Sequence, residues 1–135
     1  MPDIFFAVKG QPKGKGRPRM TRSGHCYTPE NTREYERKVS AAAKGAMRDR
    51  DAHGHLCEVV IQAYGWIYPS WSMARKGKCY GEPCDSRPDI DNITKAILDG
   101  ANGVVWKDDC QVWSLQAIKL WDDDPRVEVS VHWEE

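Results

Sequence analysis

The chain has 135 residues, 40% of them hydrophobic and 30% charged, a balance that fits a soluble globular protein and argues against a disordered one. That length suits one domain burying roughly two-thirds of its unfolded surface, and it excludes separate catalytic and binding modules. Net charge is zero, but residues 1–50 carry twelve Lys/Arg against five Asp/Glu and residues 51–135 carry eight against fifteen, so the two parts stand at +7 and −7. Such asymmetry points to a basic surface for a polyanion and an acidic cluster for something cationic.

Ile4 to Val8 is an apolar run of five residues and reads as a short buried strand. It is too short for a signal-peptide core, and nothing elsewhere approaches the ~18–20 apolar residues of a membrane span, so no membrane partner and a cytoplasmic location are expected. Residues 9–28 follow as a basic loop. Gly10, Gly14 and Gly16 with Pro12 and Pro18 argue against a regular element over residues 9–22. Lys9, Lys13, Lys15, Arg17, Arg19 and Arg22 make it strongly cationic, and no acid occurs between Ile4 and Pro29. Phosphate contacts are one reading of that loop; a merely solvated or disordered loop is the other.

A helix is predicted over residues 29–49, with Thr28 as N-cap, Pro29 at the first position and Glu30 at the positive dipole end. Tyr35, Val39, Ala42 and Ala46 repeat at helical spacing, and Glu34 precedes Lys38 by one turn. Residues 57–68, rich in β-branched and aromatic types, read as a strand that Pro69 ends. The polar insertion 69–88 is Gly/Pro-punctuated, with one helical turn expected around Trp71 to Arg75. Ile93, Ile97 and Ala101, with Leu98 alongside, share a helical stripe that Gly100 or Gly103 closes. Val112 to Trp121, the turn 122–125 and the alternation of Val127, Val129, Val131 and Trp133 predict a terminal hairpin. The order β-α-β-α-β-β makes an α+β fold, a small mixed β-sheet with two main helices on one side.

The chemistry concentrates in Arg87-Pro88-Asp89-Ile90-Asp91-Asn92-Ile93-Thr94-Lys95. Extended backbone around Pro88 puts Asp89 and Asp91 on one side, and Lys95 falls one helical turn beyond Asp91. Asp108-Asp109, just before a strand, returns a further carboxylate. Hard divalent cations such as Mg²⁺ take such oxygen ligands and keep room for water and a substrate phosphate. Each piece also has a plain structural reading: a helix cap, a turn, a solvated lysine. Asp122-Asp123-Asp124, with Pro125 directly after, reads as a turn.

The five cysteines (Cys26, Cys57, Cys79, Cys84, Cys110) are scattered without a C-x-x-C, which favours reduced thiols and leaves zinc at Cys79 and Cys84 as an outside alternative. Arg75, Lys76, Lys78 and Arg87 lead towards the acidic segment and extend the candidate phosphate-contact track. Tyr27, Trp71 or Tyr80 are candidates for base stacking, with packing as the commoner role.

The segment Arg87 to Asp99, followed by Gly103-Val104-Val105-Trp106-Lys107-Asp108-Asp109-Cys110-Gln111-Val112, resembles the RusA family of Holliday junction resolvases. Pro12 to Arg19 and Tyr27-Thr28-Pro29 resemble a common branch of it, so the likeness spans most of the chain. The resemblance implies a small Mg²⁺-dependent (or Mn²⁺-dependent) homodimer, often prophage-encoded, that cuts four-way DNA junctions in recombination and repair. It implies Asp89, Asp91 and Asp109 as catalytic metal ligands and Lys95 as their catalytic partner, and leaves Asp108 open. The Asp91-to-Asp109 spacing is about one residue shorter than in the founding member, and the insertion 69–86 is longer than in the shortest members. A phage DNA-binding protein lacking catalysis or junction preference, and a zinc-stabilised interaction module, are the other classes the residues admit.

Overall fold

In the computed structural model, residues 3–16, 19–27 and 29–135 are described, Arg19 by its main chain alone. The order is β1 (Ile4–Lys9), β2 (Arg19–Met20), β3 (Cys26–Tyr27), α1 (Glu30–Met47), β4 (Cys57–Trp66), α2 (Met73–Cys79), α3 (Ile90–Ala101), a 3-10 turn (Asp109–Gln111), β5 (Val112–Asp122) and β6 (Arg126–Trp133). The result is an α+β fold with a small mixed sheet.

β4 sits inside that sheet, whose order is β1-β6-β4-β5. Its alternate residues Cys57, Val59, Ile61 and Ala63 are buried. With Val127, Val129 and Val131 of β6 and Ile4, Phe6 and Val8 of β1 they form one apolar face, which joins the buried residues of α1 and α3 in a single core. The period of two along each strand is what sends these side chains to one side of the sheet.

The expected terminal hairpin does not form. β5 and β6 are not neighbours: β4 lies between them, parallel to β5 and antiparallel to β6. Residues 123–125 therefore cross the end of β4 instead of folding β5 back on β6. The parallel β4–β5 pair needs a crossover, and α3 supplies it. The Asp-rich connection is fastened by Asp122, whose carboxylate accepts from Asp124 N at 2.8 Å and from the Arg126 guanidinium at 3.3 Å.

Four smaller expectations also shift. The basic loop contains a short hairpin, Arg19–Met20 against Cys26–Tyr27, closed by Thr21 N donating to His25 O at 2.8 Å, and Gly24 at φ +86° makes the turn possible. Pro29 is the N-cap of α1 and makes no side-chain cap bond; Thr28 lies outside the described residues. The buried stripe of α1 runs Thr32, Tyr35, Val39, Ala43, Met47, leaving Ala42 and Ala46 only partly buried, because the helix drifts round as its face follows the core. Lys38 donates to the Lys9 carbonyl at 2.9 Å instead of pairing with Glu34.

α1 and α3 approach closely at Gly100. A Cβ there would lie 2.6 Å from Val39 Cβ and 3.1 Å from the Glu36 carbonyl. Gly100 thus belongs to the helix interior and to its packing; Asn102 caps α3, and Gly103 (φ +78°) turns the chain beyond it.

Candidate active site

α3 begins at Asp89, which adopts extended φ −65°, ψ 150° and makes no side-chain cap bond. Asp91 falls in the first helical turn, so the spacing places Lys95 and then Asp99 on the same side at successive turns. Asp91, Thr94, Lys95 and Leu98 form one wall of an open groove, Leu115 and Ala117 of β5 the other, with Ile90 and Asp109 completing it. Asp89 lines a shallow depression beside it, with Arg87, Pro88 and Asn92. The groove therefore unites Asp91, Lys95 and Asp109 and leaves Asp89 at its margin. Among the described residues no three His, Cys, Asp or Glu side chains are already gathered around one point.

Asp109 is held by its neighbours. Asp108 caps the 3-10 turn, its carboxylate accepting from Cys110 N at 3.3 Å, while Asp108 N donates to Gln111 Oε1 at 2.9 Å. Gln111 Nε2 donates to the carbonyls of His53 and His55, each at 2.9 Å. Those two bonds staple the turn to the segment leading into β4. Gln111 escaped sequence reading because its partners lie over fifty positions away.

Burial lifts the Asp109 carboxyl above its ordinary value, and the Asp108 hydrogen bond and the charges of Asp108 and Asp99 lift it further, opposed by Lys95. A ligand carboxylate must be ionised, so Asp108→Asn, which keeps an oxygen for the cap, is expected to move the acid limb of any Asp109-dependent pH–rate profile to lower pH. An unmoved limb would show that Asp109 does not set it.

Asp99 is a second residue missed by sequence. One of its carboxylate oxygens lies 3.1 Å from Lys15 Nζ and 3.8 Å from Lys95 Nζ, and Lys15 also pairs with Glu36. Lys15 is thus an internal strut whose charge is already answered. Its folded-state pKa is raised overall: desolvation lowers it, but the bonds and charges of Glu36 and Asp99 outweigh that. The main chain beside it is equally anchored: Lys15 N donates to Asn92 O at 2.9 Å and Gly16 N to Thr32 Oγ1 at 3.0 Å. The start of the basic loop is consequently seated between the first turns of α1 and α3, next to Asp89.

Glycine makes that seat possible. A Cβ on Gly14 would stand 2.9 Å from Pro88 Cβ and 3.0 Å from Asn92 Cβ. Gly14→Ala is expected to lift the loop and weaken DNA binding several-fold while far-UV circular dichroism stays unchanged. Unaltered affinity would mean that the seat has no bearing on binding.

Of the other cationic candidates, Lys13, Arg22 and Arg87 are exposed and make no ion pair among the described residues. Arg75 lies over the Trp71 ring at 3.6 Å, and Lys76 is on α2. Arg17 and the Arg19 side chain lie outside what is described. All five cysteines are free thiols; Cys84 accepts from Ser86 N at 3.4 Å, and nothing joins it with Cys79 to further metal-ligating side chains among the described residues. No helix is long and apolar enough to cross a membrane.

Residues 9–132 match the family described as Endodeoxyribonuclease RusA. The chain belongs to the RusA endodeoxyribonuclease family. It is also 30% identical to the Uncharacterized protein YqaN of Bacillus subtilis (strain 168), over 95% of this chain and 94% of that protein. The matched region takes in the seated basic loop, both walls of the groove and the capped turn that carries Asp109. A family of DNA hydrolases thus meets, in this chain, an acidic groove placed directly beside a cationic loop.

Proposed function

We propose that this RusA-family protein is a Mg²⁺-dependent endodeoxyribonuclease that resolves four-way junctions by paired, symmetric nicks as a homodimer. The observation that carries the reading is the groove joining Asp91, Lys95 and Asp109, with the basic loop bound to Asn92 at its head. The donor set fits the ion. Carboxylate oxygens suit Mg²⁺, which takes one or two of them and leaves its other positions to water and phosphate. Mn²⁺ accepts the same ligands.

Asp91 and Asp109 would hold the ion from the groove and Asp89 from its margin, where no cap bond restrains it. Bound there, a divalent cation supplies an activated water and neutralises charge on the phosphate. The chain's own residues do the rest. Asp89, Asp91, Asp99, Asp108 and Asp109 gather negative charge that would repel DNA unless balanced. Lys95 is positioned by Asp99 to face the non-bridging oxygens, where its ammonium stabilises charge building up in the transition state. Lys13, Arg22 and Arg87 contact flanking phosphates and set the strand's register without reading sequence. Cleavage on the 3′-oxygen side leaves a 5′-phosphate and a ligatable 3′-hydroxyl.

A four-way junction has approximate two-fold symmetry, and two opposed nicks need two grooves. With one per chain, a C2 dimer is the economical assembly. Incubation with synthetic four-way junction, fork and linear duplex, with and without Mg²⁺, tests the reading. Paired nicks in the junction alone, only with the metal, are expected. Binding without cleavage would favour a non-catalytic DNA-binding protein, and tightly held zinc with no cleavage a zinc-stabilised module.

A further inference from the structure

The segment 68–80 stands away from the core and carries an unusual surface. α2 has no buried residue, and Tyr68, Met73 and Tyr80 are 48%, 82% and 57% exposed. Arg75, Lys76 and Lys78 lie within it, and no acid occurs between Ile67 and Gly81. Among the described residues none of the three makes an ion pair. Exposed aromatic rings beside cations that no carboxylate pairs suit a partner that offers both flat π-faces and negative charge.

The segment is nonetheless firmly mounted. The Trp71 ring packs 5.6 Å from Trp121 of β5, with Tyr68 edge-on at 6.0 Å and the Arg75 guanidinium 3.6 Å above it. Its return leg pairs with the far end of β5: Gly81 N to Trp121 O at 2.8 Å, Trp121 N to Glu82 O at 2.9 Å and Cys84 N to Lys119 O at 3.0 Å. Trp66 Nε1 then donates to Arg87 O at 2.8 Å, two residues before Asp89. A hydrogen-bonded path therefore links the protrusion to the head of the candidate active site.

We propose that segment 68–80 is a second DNA-contact surface, which stacks Tyr68 and Tyr80 on unpaired bases at a branch point while Lys76 and Lys78 hold the adjoining phosphates. The inference rests on the nuclease reading and extends it to what distinguishes a branch from a duplex. Every base offers a π-face, so aromatic stacking recognises opened bases without regard to sequence. A surface meant only for duplex phosphates would need no exposed tyrosines, and the excess of cations favours a polyanion over a protein partner.

The full-length protein would be titrated, without divalent metal, against a four-way junction carrying 2-aminopurine at the branch and against linear duplex. The wild type is expected to change 2-aminopurine fluorescence on junction binding. Tyr68→Ala with Tyr80→Ala should abolish that change and weaken junction binding about ten-fold, as loss of a base–aromatic stack does, with duplex affinity unchanged. Tyr68→Phe with Tyr80→Phe should restore both, which separates stacking from a folding defect. Lys76→Gln with Lys78→Gln should weaken both DNAs and reduce the salt slope by about two. Junction binding and fluorescence that survive the alanine pair would overturn the inference alone, as would an equal loss on duplex. A wild type that binds no branched DNA would remove the nuclease reading as well.

Discussion

Asp91→Asn protein is expected to bind a four-way junction normally and to leave it uncut in Mg²⁺. The substitution keeps the shape and the helical position of the side chain but removes the charge that a hard cation needs. Cleavage should fall by about 10³-fold or more, the scale on which losing a preorganised electrostatic group acts. Asp109→Asn should behave alike, since its capped turn holds the amide where the carboxylate stood. Asp89→Asn should also abolish nicking, as the proposed ligand role requires. Lys95→Met should cost roughly 10²-fold, the loss expected if Lys95 stabilises the transition state without holding the ion. Gel-resolved nicking under single turnover, with binding measured separately, reads these outcomes. Normal cleavage by Asp91→Asn would end the proposed mechanism.

Gly100→Ala should be the most damaging single methyl group in the core. Its Cβ would stand 2.6 Å from Val39 Cβ and 2.7 Å from Val39 Cγ1, distances that real Cβ atoms do not reach. α1 and α3 must separate or tilt, and overpacking of this kind costs about 1–3 kcal/mol. Gly45→Ala is the matched control. It lies in α1 with open space around its Cβ position, so better helix propensity should stabilise it by about 0.4–1 kcal/mol. Urea unfolding of the two variants should therefore shift in opposite directions. Equal shifts would show that α1 and α3 do not rely on contact at Gly100. The same variant tests coupling to the site, since α3 carries Asp91 and Lys95 on its opposite side.

Local signals were legible in the chain because their causes are local. Alternation along β6 and the helical stripes of α1 and α3 follow from how neighbouring residues share a face, so those elements stand within a few residues of expectation, whereas β4 stops at Trp66, where the main chain turns to φ +71°, before Pro69 is reached. The acidic segment was legible for the same reason: Asp91 and Lys95 are one helical turn apart wherever the helix lies. Periodicity reports which side of a strand is buried but not which strand lies beside it. For that reason Asp122-Asp123-Asp124-Pro125 looked like a hairpin turn, whereas β4 occupies the place between β5 and β6. An inner strand loses both its edges to neighbours, and β4, buried at alternate positions along its length, fills that place.

The sequence by itself determined the groups available to the site, namely carboxylates at 89, 91 and 109, an amine at 95 and a cationic loop. Only the tertiary structure decided which of them meet. The α3 crossover makes β4 and β5 parallel and thereby sets Leu115 and Ala117 opposite Asp91, Lys95 and Asp109, while Asp89 remains on the adjoining depression. It also turned Lys15 from a free cation into a strut between Glu36 and Asp99. The physical reason is range. Caps and turns act over four residues, but the pairing of Lys15 with Asp99, or of Gln111 with His53, exists only after distant segments have been brought together by burying a shared core.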